Sequence, residues 1–84
     1  MEKQIIEYFA SQIVDASIRV HKELGPGLLE SVYLFCFMEE LKIRGIKAAQ
    51  LISYLKLAVK KVGFLINFNV SVFKDGIHRY VNNF

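Results

Sequence analysis

Seven consecutive residues, Val32-Tyr33-Leu34-Phe35-Cys36-Phe37-Met38, are apolar. Their surroundings have helical spacing, so the helix they build is apolar on every face and has to be covered on all sides. The run is far shorter than the roughly 20 residues that cross a bilayer, so no membrane span is expected and the cover must be protein. The whole chain has 84 residues, enough for one small core, and a single domain over 1–84 is expected. With 54% apolar and 23% charged residues, it is neither a disordered tail nor a low-complexity linker. A domain of this size buries only about 60 to 65% of its extended-chain surface, so some of that apolar content is expected to face outward.

Helical stripes flank the run. Ile6, Phe9, Ile13, Ala16, Val20 and Leu24 recur at steps of three and four and predict a first helix from Gln4 to Leu24. Gly25-Pro26-Gly27 stops it, because glycine suits the left-handed position after a helix and proline cannot continue the ladder. A second helix is expected at once, with Gly27 as N-cap and Glu30 in the third position, where a carboxylate meets free backbone N–H groups. It runs to about Arg44, with Lys42 and Arg44 suiting its last turn and Gly45 its stop. Ala48, Leu51, Leu55 and Ala58 predict a third helix. From Val62 the period becomes two, through Phe64, Ile66, Phe68, Val70 and Val72, which indicates a strand over at least the first part. Asp75-Gly76 reads as a tight turn, and Ile77 to Val81 as a short returning strand. The expected class is α+β, three helices followed by a two-stranded β-ribbon that needs the helices packed on it. There is no internal repeat.

Charge divides unevenly. Through Leu41 three basic residues face seven acidic ones, and from Lys42 eight basic residues face Asp75 alone, so halves of −4 and +7 make the net +3. The basic half makes a nucleic-acid partner a candidate, although lysines also keep small domains soluble. Met1-Glu2-Lys3-Gln4 leads straight into the helical stripe, without a basic export region or cleavage site, so a cytoplasmic location is expected. Cys36 is the only cysteine and, between Phe35 and Phe37, reads as apolar filler. His21 and His78 have no second ligand at zinc spacing, and Gly25-Pro26-Gly27 lacks the Gly-Lys-Ser/Thr of a phosphate loop.

The run from Ile18 to Tyr33, Ile-Arg-Val-His-Lys-Glu-Leu-Gly-Pro-Gly-Leu-Leu-Glu-Ser-Val-Tyr, resembles the signature of the GxxExxY family, carried here by Gly27, Glu30 and Tyr33. Gln50-Leu51-Ile52-Ser53-Tyr54-Leu55-Lys56-Leu57, Val62 to Phe68, and Lys74-Asp75-Gly76-Ile77 resemble that family's C-terminal half. The resemblance implies kinship with PD-(D/E)XK nucleases, whose fold is a mixed sheet flanked by helices. Their chemistry uses a strand Asp and then Glu-x-Lys: two carboxylates hold Mg²⁺ and the lysine positions or deprotonates the attacking water. In the family those strands lie between the GxxExxY and QxxxY helices.

Here that interval, from Tyr33 to Gln50, is sixteen residues long and mostly helical. It contains no Asp, its acids Glu39 and Glu40 fall within the second helix, and the position two before Lys47 is Gly45. The resemblance therefore implies an internally shortened member, a remnant of a restriction-endonuclease-like α/β fold without the catalytic strands. No catalytic residue and no metal ligand set is expected, and no cofactor, Mg²⁺ belonging to the full-length relatives. Glu30, Gln50 and Tyr54 remain as residual site candidates by resemblance. Each has a structural alternative: capping for Glu30, and helix packing for Gln50 and Tyr54, which share a face at i, i+4. Tyr33 is expected in the core with its hydroxyl partnered. Lys47, Lys56, Lys60 and Lys61 are the weak candidates for phosphate contact. The expected function is that of a nuclease-like protein inactive by itself. A small basic nucleic-acid-binding or protein-interaction module, and a deletion remnant without selected role, are the alternatives. The all-apolar second helix predicts self-association, most simply as a C2 dimer.

Overall fold

In the computed structural model, residues 2–47, 49–50, 53 and 62–81 are described. The first helix, α1 (Glu2–Leu24), buries Ile6, Phe9, Ile13, Ala16 and Val20 of the stripe read from the sequence, while Leu24 at its end is half-buried. Ala10 and Ser17 are buried beside them, and the Ser17 hydroxyl donates to the Ile13 carbonyl at 2.7 Å, so its burial leaves no polar group unpaired. Gly25, at φ 68°, ends the helix by donating its N–H to the His21 carbonyl at 2.8 Å, which closes a left-handed cap.

The second helix, α2, spans Glu30–Ile43. Its N-cap is Leu29, without a side-chain cap, so Glu30 is the first helical residue rather than the third. The expected Gly27 cap fails because Gly27 has φ 96°, a left-handed conformation, whereas an N-cap needs extended backbone. At its other end Gly45, φ 80°, donates to the Lys42 carbonyl at 2.9 Å and Ile46 to the Leu41 carbonyl at 2.9 Å. That pair of bonds is a Schellman cap, completed by Leu41 and Ile46, which are both buried in the same core cluster.

That cluster joins Phe9, Ile13 and Ala16 of α1 to Leu41 and Ile46, with Ile5, Phe37, Met38 and Ile66 packed against it. Ile66 ends strand β1 (Val62–Ile66), which pairs antiparallel with β2 (Ile77–Val81) from Val62 opposite Val81 to Ile66 opposite Ile77. An ion pair between Arg79 of β2 and Glu7 of α1 ties the strands to the first helix. Among the described residues no helix is long and apolar enough to cross a membrane.

The expected fold class needs correction. Instead of three helices and a tightly turned ribbon within a mixed-sheet remnant, the described chain is mostly helical: two long helices carry the core and the extended part is confined to two five-residue strands. The third helix was expected over Ala48 to Ala58, and of those residues only Ala49, Gln50 and Ser53 are described, all helical. The Asp75-Gly76 hairpin turn is also replaced. Residues 67–76 form a longer connection, with a single 3-10 turn over Phe73–Asp75. Two residues beyond the strand's end at Ile66, Phe68 stacks on Tyr33 of α2.

Candidate functional site

The corner between α1 and α2 and the 67–76 connection lock together, and the motif residues sit at that junction. Tyr33, 3% exposed one turn into α2, donates its hydroxyl to the Gly25 carbonyl at 2.7 Å and accepts from the Leu28 N–H at 3.1 Å. Its ring stacks on Phe68 with centroids 5.1 Å apart, Phe68 stacks on Phe73 at 5.5 Å, and Phe73 on the His21 imidazole at 4.8 Å. These four rings form a continuous ladder from α2 through the connection to α1. His21 also donates from Nε2 to the Val70 carbonyl at 2.6 Å; the acceptor being a carbonyl, that nitrogen carries the proton. Gly27 donates its N–H to Asn69 Oδ1 at 2.9 Å, and Asn69 N–H in turn donates to Asn67 Oδ1 at 3.0 Å.

Against this junction lies a half-open groove of about 630 Å³, with walls that include Leu28, Glu30, Tyr33, Phe37, Asn67 and Asn69. Glu30 and Tyr33, three residues apart on α2, therefore line one groove, and Gly27 joins it through its bond to Asn69. Glu30 is exposed on the rim and makes no ion pair among the described residues. Gln50 is exposed and forms no part of the groove walls. Tyr54 lies outside the described residues, as do Lys56, Lys60 and Lys61, while Lys47 is exposed.

Glu7, Asp15, Glu23, Glu39 and Glu40 are engaged elsewhere. Glu40 accepts from Arg44 at 2.8 Å and lies 3.5 Å from Arg19; Glu39 pairs with Lys42 at 3.8 Å, Glu23 with Arg19 at 3.4 Å and Asp15 with Arg44 at 3.9 Å. No three His, Cys, Asp or Glu side chains come together among the described residues. The groove's donor set does not suit Mg²⁺. A hard cation takes several oxygens, and here Glu30 supplies the only carboxylate among the described residues, while the Asn67 and Asn69 side-chain oxygens are already bonded to backbone N–H groups. The arrangement holds a chain corner; it is not built to hold a metal.

The connection was absent from the sequence reading. The sequence places Phe68 and Val70 in a strand alternation and gives Phe73 no role, and it reads His21 as a surface or partly packed imidazole without a metal partner. The signal available was the polar pair Asn67 and Asn69, since asparagine disfavours strands and bonds its own backbone two residues on.

A family model described as the PD-(D/E)XK nuclease superfamily matches the chain over residues 7–49 and 42–80. No curated protein and no solved structure gives a match.

Proposed function

From membership of the PD-(D/E)XK nuclease superfamily, to which this chain belongs, we propose that it is an internally shortened member of the GxxExxY type, nuclease-like in frame and unable to cleave by itself. The observation that carries this reading is the spent chemistry of the junction. Both hydrogen-bonding directions of the Tyr33 hydroxyl go to the chain corner, and Glu30 stands alone beside it. A metal-assisted phosphodiester cut requires carboxylates that hold the cation and a base for the water, and among the described residues neither a carboxylate pair nor a lysine lines the groove. The two matched segments overlap at 42–49, from the last two residues of α2 onward, and this supports the reading because the resembling family inserts its Asp and Glu-x-Lys strands between the GxxExxY and QxxxY helices.

Incubating the purified chain with single- and double-stranded DNA and RNA in Mg²⁺ or Mn²⁺ tests it. No cleavage above a metal-free control is expected. Metal-dependent cutting that Glu30→Gln abolishes would overturn the reading.

A further inference from the structure

The groove of about 630 Å³ beside the junction holds polar groups that the nuclease reading leaves unused. Asn67 and Asn69 both line it, and each has its side-chain oxygen fixed by a backbone N–H, Asn67 by that of Asn69 at 3.0 Å and Asn69 by that of Gly27 at 2.9 Å. The bonded atom being an acceptor, the other half of each amide is an NH₂ donor. Both residues are exposed, and neither Nδ2 has a partner among the described residues. Glu30, from α2, adds an exposed carboxylate without an ion pair among them. The remaining walls are Tyr33, whose hydroxyl is spent on the corner, and apolar side chains, of which Leu29 is 75% and Leu34 59% exposed.

We propose that this groove binds an extended peptide segment of another protein, one that carries a large apolar side chain close to a lysine or arginine. The two free amide donors call for neutral carbonyl oxygens. Asn67 and Asn69 are two residues apart, so their Cα atoms are separated by no more than about 7 Å, and the carbonyls on one side of an extended chain recur every second residue at about that distance. The donors thus match a peptide backbone, the part of the ligand that supplies affinity in strand-like recognition. The apolar walls take the large side chain, in a volume typical of pockets of about 300 to 1,000 Å³ that hold compact ligands. Glu30 selects by charge: its carboxylate attracts a cation and repels phosphate, which disfavours nucleic acid in the same groove. The site uses no metal, and none of this depends on the nuclease reading.

An array of capped heptapeptides tests it, each pairing leucine or phenylalanine with lysine, glutamine or glutamate at spacings of one to three residues, and the strongest set is measured in solution against the full chain by fluorescence anisotropy. Lysine peptides are expected to bind best and glutamate peptides worst, the exchange of lysine for glutamate costing about tenfold or more in affinity. Glu30→Lys reverses the order, a swap that nonspecific stickiness does not give. Asn69→Asp keeps the oxygen that holds Gly27 and removes the amino group, and it weakens the glutamine peptide, which has no charge to answer the new carboxylate, by about three- to tenfold. Leu34→Glu weakens the same peptide, while Ile43→Glu, outside the groove, leaves it bound as in the wild type. Helical circular dichroism checks each fold, and if Asn69→Asp loses its signal, Glu30→Lys and Leu34→Glu carry the test. Failure of every array member to bind at high micromolar concentration, a peptide order indifferent to Glu30→Lys, or a labelled DNA duplex whose binding falls with Leu34→Glu overturns the proposal.

Discussion

The Tyr33 hydroxyl donates to the Gly25 carbonyl across 2.7 Å, linking a residue inside α2 to the residue that terminates α1. It accepts from Leu28 as well, so one phenol satisfies an acceptor and a donor of a corner that contains Pro26 and has little regular structure of its own. Tyr33→Phe keeps the ring on Phe68 and removes both bonds. The expected loss is about 1 to 3 kcal/mol, the cost of leaving partly buried backbone groups unpaired. Urea denaturation with the native circular dichroism preserved is the measurement, and a loss below about 0.5 kcal/mol would mean that water takes over both bonds.

Gly76 is the position at which the connection has no slack. Its carbonyl accepts from the Asn67 N–H at 2.6 Å, and a Cβ added to it would overlap the Asn67 carbonyl oxygen and lie 2.8 Å from Val70 Cγ2. The obstructing atom is backbone, so it cannot swing aside. Gly27 differs: nothing lies within 4 Å of a Cβ there, and only its φ of 96° resists substitution. Gly27→Ala is expected to cost about 1 to 2 kcal/mol from left-handed strain, and Gly76→Ala clearly more. Paired denaturation curves decide the order, and the reverse order would show that the connection yields more readily than its contacts imply.

How much of this was legible before the fold was known follows from the range of each interaction. Gly25, Gly45 and the buried stripe of α1 were readable because a cap and an amphipathic face are written within one or two turns of sequence. Glu30 was misplaced by two positions, since the sequence does not show whether Gly27 takes extended or left-handed backbone. The ring ladder was invisible for a different reason. His21 and Phe73 are neighbours although 52 positions apart in the chain, and alternation from Phe64 to Phe68 reads as strand whether or not Phe68 lies in the sheet. Of the site, the convergence of Gly27, Glu30 and Tyr33 was carried by the motif, while the partners that consume their polar atoms came from the 67–76 connection.

Glu30 separates a capping role from a metal role. As an exposed first-turn carboxylate it interacts with the positive end of α2, so Glu30→Ala is expected to cost about 0.3 to 1 kcal/mol. With no second carboxylate in the groove among the described residues, millimolar Mg²⁺ is expected to leave the melting temperature of wild type and variant unchanged, because only a ligand bound to the native state stabilises it. A metal-dependent rise in the wild type that is missing in Glu30→Ala would assign the residue to a cation instead.

Nucleic-acid binding through the basic half remains a proposal, and the ion pairs limit its strength. Arg19, Lys42, Arg44 and Arg79 each face a carboxylate, leaving Lys22, Lys47 and Lys74 as the cations without an ion pair among the described residues. A cation already neutralised within the chain releases fewer counterions when it meets a phosphate, so the salt dependence of binding counts the unpaired lysines. Each phosphate contact adds about −0.9 to the slope of log affinity against log salt on duplex DNA. Lys47→Glu, and Lys60→Glu combined with Lys61→Glu, are expected to flatten that slope and weaken binding irrespective of sequence. Lys42→Glu is expected to matter less, because its lysine already faces Glu39. Fluorescence anisotropy with a labelled duplex across a salt series reads both effects. Binding that ignores salt, or that responds to Lys42 as strongly as to Lys47, would remove the basic half as the contact surface.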